Sequence, residues 1–274
     1  MDSNEPALPL VFVHGMRVSH TMWQPVMQAI GTRHPMAAPD LPGHGARRGE
    51  PFTMPGAVAA VAEAVDELGG RAMVVGLSLG GYVAMATAGS HPERVAGLVA
   101  MGCTALPRGL FGATYRGAGR VAARYPKGVD RLSVFSFRRA LPGPLAEAMV
   151  AGGLNSEIIS DIVAAVAGQD PLASLAAYPG PVWLVNGERD RFRRQEGRFA
   201  RACHQGRLTI LPGRGHISSL ADPTAVARQV LDAAAAATAS RSNPTPAPPD
   251  RPAVPKRGPA DRLDGAALPA DDAA

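Results

Sequence analysis

Ala72-Met73-Val74-Val75-Gly76-Leu77-Ser78-Leu79-Gly80-Gly81 is the stretch on which the reading of this chain turns. A short apolar run of strand character enters a glycine, passes through a serine and continues, from Gly80 to about Ser90, as a helix. The pattern G-x-S-x-G between a strand and a helix has a physical meaning. The serine occupies a sharp, strained turn, and Gly76 and Gly80 remove side chains that would collide with neighbouring backbone. Ser78 is then held out above a sheet at a helix N-terminus, where the dipole favours developing negative charge.

Outward from this turn, short apolar runs alternate with helical patterns. Strands are expected at Leu10–Val13, Met36–Pro39, Ala72–Val75, Val95–Met101, Val182–Val185 and Leu208–Leu211. Helices are expected at Pro55–Leu68, Gly80–Ser90, Arg193–His204 and Pro223–Ala237. Such alternation implies a parallel sheet covered on both faces, with the loops after the strands gathered on one edge. Residues 105–177 break the pattern. They carry Gly/Pro interruptions, helical stretches at Leu145–Ala151 and Glu157–Ala167, and the aromatic residues Phe111, Tyr115, Tyr125, Phe135 and Phe137. This reads as a helical cap inserted over the strand ends, placed to line a pocket and exclude water. The expected organisation is therefore a core of residues 1–104 and 178–237, a cap of 105–177, and a proline- and alanine-rich disordered tail of 238–274.

Bulk composition excludes several classes. The chain has 274 residues, enough for one sizeable core, and is 46% hydrophobic, without an apolar run of membrane-spanning length. The first residues, Met-Asp-Ser-Asn-Glu, do not read as a secretory leader. Two cysteines, Cys103 and Cys203, are too few for a disulfide framework and read as buried thiols, which points to a cytoplasmic setting. The net charge of +5 raises the question of nucleic acid, but the arginines are dispersed and no binding motif accompanies them. A small-molecule substrate is the expected partner, with no nucleic acid, membrane, metal or organic cofactor; oligomeric state stays open.

A serine hydroxyl needs a base to take its proton. Of the seven histidines, His34, His91 and His204 sit beside or on helices, and His14, His20 and His44 lie early in the chain. His216 follows the strand Leu208–Leu211 and a glycine-rich loop and lies after the serine, as the chain order serine, acid, histidine requires. The acid should follow the strand beginning at Val182, where Glu188 and Asp190 both stand; Asp170 and Asp222 are less well placed. A developing oxyanion needs donors. The backbone N–H of Leu79 is one, and the loop His14-Gly15-Met16 offers the N–H of Met16 as the second.

Together these residues resemble the α/β-hydrolase superfamily over about Leu8 to Ala237. The matching features are Val13-His14-Gly15, Trp23, Asp40-Leu-Pro-Gly-His-Gly45, Gly76–Gly81, His91-Pro-Glu-Arg-Val95, Gly187-Glu-Arg-Asp190 and Gly215-His216. The resemblance implies the α/β-hydrolase fold, a mostly parallel doubly wound sheet with a helical cap, and it assigns the acid to Asp190. Many members carry a hairpin before the first strand. Only about nine residues precede it here, so a sheet of about six strands, all parallel, is expected. Members often have a proline soon after the aspartate, where this chain has Arg191-Phe-Arg-Arg194. These arginines read as solvated residues at a helix start.

The expected activity is hydrolysis of a small carboxylic ester, lactone or thioester through a Ser78 acyl-enzyme. Serine at 78 argues against the epoxide hydrolase and haloalkane dehalogenase branches, which use aspartate there. A lyase or C–C bond hydrolase, like the menaquinone-pathway synthase branch, would use the same residues without an acyl-enzyme. A non-catalytic ligand sensor would have no need to keep a base and an acid in register.

Overall fold

The computed structural model describes residues 7–106 and 109–242. Six strands form one sheet: β1 (Leu10–Val13), β2 (Met36–Ala37), β3 (Ala72–Leu77), β4 (Val95–Met101), β5 (Pro181–Gly187) and β6 (Gln205–Leu211). Their order is β2-β1-β3-β4-β5-β6 and every neighbouring pair is parallel, as the sequence led us to expect. β1, β3 and β4 are buried along their whole length, which explains their unbroken apolar runs. The second strand ends at Ala37, short of the expected Pro39, and β6 forms the exposed far edge.

Side chains alternate between two cores, one on each face of the sheet. Val11, Val13, Val74, Leu98 and Leu184 enter one core with α2 (Met54–Glu67), α3 (Leu79–Ser90) and α9 (Glu196–Ala202). Leu10, Phe12, Met73, Val75 and Val99 enter the other with α1 (Gln24–Ile30) and α10 (Pro223–Ser242). Trp23 is fully buried there, its ring 5.3 Å from that of Phe12. Each such side chain contributes about 1.5–3 kcal/mol relative to exposure. α2 starts where the sequence says it should: Thr53 accepts the Gly56 N–H, and Pro55 stands in the first turn.

Between β4 and β5 lie α4 (Gly109–Arg124), α5 (Pro126–Ala140), α6 (Gly143–Ala151), α7 (Ile159–Ala167) and α8 (Pro171–Ala177). The region is helical throughout its described elements. Its last helix packs on the sheet layer. α8 packs on α3, with Leu175 and Tyr178 buried in the first core, and Gly89 of α3 leaves room for nothing but the Ser174 backbone. α6 likewise packs on the sheet layer, burying Leu145, Ala146 and Met149 in the second core. At the other end α10 runs to Ser242, past the expected limit at Ala237. The rest of the expected tail, from 243, lies outside the described residues.

The strand order reverses direction between β1 and β3. Loops leaving these two strands diverge to opposite faces, and a crevice opens at their carboxyl ends. The loop after β1 carries His14-Gly15-Met16, and that after β3 carries Ser78.

Candidate active site

Ser78 sits at φ 58° and ψ −117°, between the end of β3 and the first turn of α3. This conformation is costly for a residue with a Cβ, and the surroundings enforce it. The Ser78 N–H donates to the Met101 carbonyl at 2.8 Å, and its carbonyl accepts from Gly81 and Tyr82. A Cβ on Gly80 would run into the Val13 carbonyl, and one on Gly76 into the Gly80 carbonyl. Glycine at both positions is thus a packing requirement, as the sequence pattern implied. Leu79 is the first residue of α3, so its N–H has no partner within the helix.

Asp190 and His216 come from the loops after β5 and β6. Asp190 is only 5% exposed. Its Oδ1 accepts the Phe192 N–H at 2.8 Å, and its Oδ2 accepts the His216 Nδ1–H at 2.8 Å. A carboxylate can only accept here, so the imidazole carries its proton on Nδ1 and presents Nε2 with a lone pair. That is the tautomer a base requires. Glu188, the other acid left open by the strand reading, is exposed and accepts the Gly213 N–H at 2.7 Å. Asp170 caps α8 and Asp222 caps the start of α10.

Ser78 and His216 line one cavity of about 330 Å³, together with Met16, Arg17, Tyr115 and Phe192. A second, smaller cavity of about 60 Å³ also begins at Ser78 and Met16. It runs under α4 and α7 and is walled by Leu79, Tyr82, Ile162, Val163 and Val166. The five residues singled out by sequence, Ser78, Asp190, His216, Met16 and Leu79, are therefore gathered at one place.

Sequence reasoning missed three contributors. Gly102, just past β4, has φ +58°, and a Cβ there would press on Asp190 Oδ2 at 2.8 Å and His216 Nδ1 at 3.0 Å. The pair can close only because this residue has no side chain. Phe192, within the arginine-rich departure, lays its ring 4.5 Å from that of His216 and 5.2 Å from that of Tyr115. It shields the imidazole on one side. The arginines around it face outward or pair: Arg193 holds Glu196 at 2.7 Å.

The third is His14. It is fully buried, its Nε2 accepts the Leu41 N–H at 3.0 Å, and its Nδ1–H donates to the Gly15 carbonyl at 2.9 Å. Burial, reinforced by the neighbouring His44, lowers its pKa to about 3, so the ring is neutral. It ties the loop after β1 to the Asp40–Gly45 segment. Burial pushes Asp40 up, but hydrogen bonds from His20 and Ala46 outweigh it and hold the carboxyl below the ordinary range. The Asp-Leu-Pro-Gly-His-Gly stretch thus braces the loop bearing Met16.

The thiols take no part. Cys103 is buried behind Gly81, and burial raises its pKa far above the usual thiol value; Cys203 is half-buried and pushed up to about 11. Among the described residues no cluster of three or more His, Cys, Asp or Glu is placed to hold a metal ion. No described helix is long and apolar enough to cross a membrane.

Residues 10–229 match the model of the alpha/beta hydrolase family. The chain belongs to that family. Among curated relatives, the pimeloyl-(acyl-carrier protein) methyl ester esterase of Neisseria meningitidis serogroup C is 38% identical over 87 residues, which is 31% of this chain and 33% of that protein. The chain thus matches about a third of the length of that relative. The similarly named esterase of Xanthomonas campestris pv. campestris is 29% identical over 241 residues, covering 80% of this chain and 91% of that one. Among solved structures, a thermophilic esterase from Thermogutta terrifontis is 24% identical, with a TM-score of 0.70 over 84% of this alpha/beta hydrolase and 90% of that chain, a likeness of fold.

Proposed function

We propose that this alpha/beta hydrolase cleaves a small carboxylic ester, lactone or thioester through an acyl-enzyme on Ser78. The observation that carries the reading is the bond from half-buried His216 to buried Asp190, with His216 opening on the cavity it shares with Ser78. His216 Nε2 takes the Ser78 hydroxyl proton as Oγ attacks the carbonyl. The N–H groups of Met16 and Leu79 hold the resulting oxyanion, and removing one such donor elsewhere costs about 3–4 kcal/mol. The tetrahedral intermediate collapses as His216 gives the proton to the leaving oxygen or sulfur. A water, deprotonated by His216, then attacks the acyl carbonyl, and the acid leaves with Ser78 restored. Asp190 stabilises the imidazolium formed twice in this cycle and fixes its tautomer. Helices α4 to α7 act as the cap that closes both cavities.

The two cavities divide the substrate. The general acid must stand beside the leaving group, and His216 lines the larger cavity alone. The leaving alcohol or thiol occupies that cavity, and the acyl end enters the small apolar one. The names of the curated relatives support ester chemistry over the lyase alternative.

The test is hydrolysis of p-nitrophenyl esters, from acetate upward, by wild type and Ser78→Ala. Wild type is expected to turn over the short esters and the variant to lose at least about 10³-fold in kcat. Undiminished turnover in the variant would overturn the mechanism.

A further inference from the structure

The larger cavity is apolar on most sides, formed by Val18, Met22, Leu77, Phe137 and Met149 among others. One permanent charge stands in the wall among its described residues: Arg17. Its placement is unusual in two ways. Arg17 and Ser78 are the two non-glycine residues at positive φ among those described, Arg17 at 75°. A side chain held from strained backbone beside a nucleophile is the kind of feature that function retains. Its guanidinium is also under-used. One terminal nitrogen donates to Ser133 Oγ, which lies on the same cavity wall, and stands 3.8 Å from Asp130 Oδ1. That aspartate oxygen already accepts the Ser156 hydroxyl at 2.6 Å. The Arg17 Nε is shielded from solvent and has no hydrogen-bond partner. The side chain as a whole is 20% exposed and lines the cavity, so part of its charge stays open to a ligand there.

The geometry points to Arg17 as the specificity residue for a carboxylate carried on the leaving-group half of the substrate. This deepens the hydrolase reading and rests on it, since that reading places the alcohol or thiol in the larger cavity. A substrate carboxylate in the cavity meets the accessible part of the guanidinium, and the apolar wall strengthens the charge-assisted bond. A neutral alcohol of the same shape forgoes that bond. Rejection of the neutral analogue follows from the same asymmetry that makes hydrogen-bonding sites discriminate more sharply than apolar ones. Arg17 touches the substrate in this account but no reacting atom. It binds and selects, and does not move a proton.

The deciding experiment compares 4-acetoxybenzoate with its neutral methyl ester, methyl 4-acetoxybenzoate, for wild type, Arg17→Lys and Arg17→Met. The quantity read is the ratio of the two kcat/KM values in each protein, and comparing that ratio between proteins cancels the intrinsic reactivity of each ester. Arg17→Met is expected to lower the ratio about tenfold or more relative to wild type, chiefly through KM for the anionic ester. Arg17→Lys is expected to recover part of it. Equal losses on both esters, with the ratio unchanged, would make Arg17 a staple between the β1 loop and α5 and overturn the proposal. Binding of the product 4-hydroxybenzoate to Ser78→Ala, by calorimetry, gives a readout independent of turnover. Addition of Arg17→Met should weaken it about tenfold, and unaltered affinity would overturn the proposal. If Ser78→Ala keeps full ester turnover, the hydrolase reading itself fails, whatever the charge preference.

Discussion

At the scale of single residues, the site depends on close approaches. Ser78 is legible because its two glycines and its serine stand in one short run, and the collisions that require them are local. Gly102 is not legible in that way. It is one glycine after one strand, and only the arrival of Asp190 and His216 from distant loops gives its missing side chain a purpose. Gly102→Ala would place a Cβ against both partners at positive φ and spread the pair apart. A fall in kcat on the order of 100-fold is expected, the scale of a misplacement near 1 Å, with the pH profile measured alongside. Unimpaired kcat in a folded Gly102→Ala protein would show that the pair tolerates displacement. Phe192 was hidden for a different reason. Its neighbours are arginines, and the stretch reads as polar until the ring is seen against His216.

At the scale of elements, strands and the core helices α2, α3, α9 and α10 were legible because each buries one or both faces and shows it as an apolar run or a 3.6-residue period; the seven-residue α1 is too short to show one. α4 and α5 were not. α5 has no buried side chain, and Gly/Pro interruptions and exposed arginines hide its period. α8 was not read as a helix, although the Asp170-Pro171 start, with the aspartate accepting from Leu172 and Ala173, is a strong helix-opening signal. The element with the clearest functional consequence is α7, which closes the small cavity with Ile162, Val163 and Val166. Val166→Ala should extend the acyl-length optimum of the p-nitrophenyl series by about one or two carbons. Each added methylene accommodated in such a pocket is worth about tenfold or more in kcat/KM. An unchanged optimum would mean that the acyl chain lies elsewhere, in the larger cavity.

At the scale of the whole molecule, the parallel order β2-β1-β3-β4-β5-β6 puts the loop bearing Met16 and the turn bearing Ser78 on either side of the point where the order reverses. The neutral, buried His14 fastens the first of these loops, and this fastening has a global consequence. The unfolded chain binds a proton at His14 near pH 6.5, while the folded chain does not until about pH 3. Stability is therefore fully present above about pH 6.5 and falls with acid between 6.5 and 3, by about 1.4 kcal/mol per pH unit from this residue. His44, also lowered by burial, adds to the same slope. His14→Gln keeps a donor and an acceptor without a titrating proton. Urea unfolding at pH 7, 6, 5 and 4 should show a slope shallower by about one proton in the variant. Identical slopes would mean that His14 is protonated in the folded state.

The central claim is that Ser78 carries the acyl group. The most direct measurement is rapid acid quenching during turnover of a p-nitrophenyl ester, followed by peptide mapping by mass spectrometry. The account predicts one acyl adduct, on the peptide spanning Ala72 to Arg94, which disappears in Ser78→Ala. Turnover by wild type with no adduct there, or with the adduct on another residue, would contradict it.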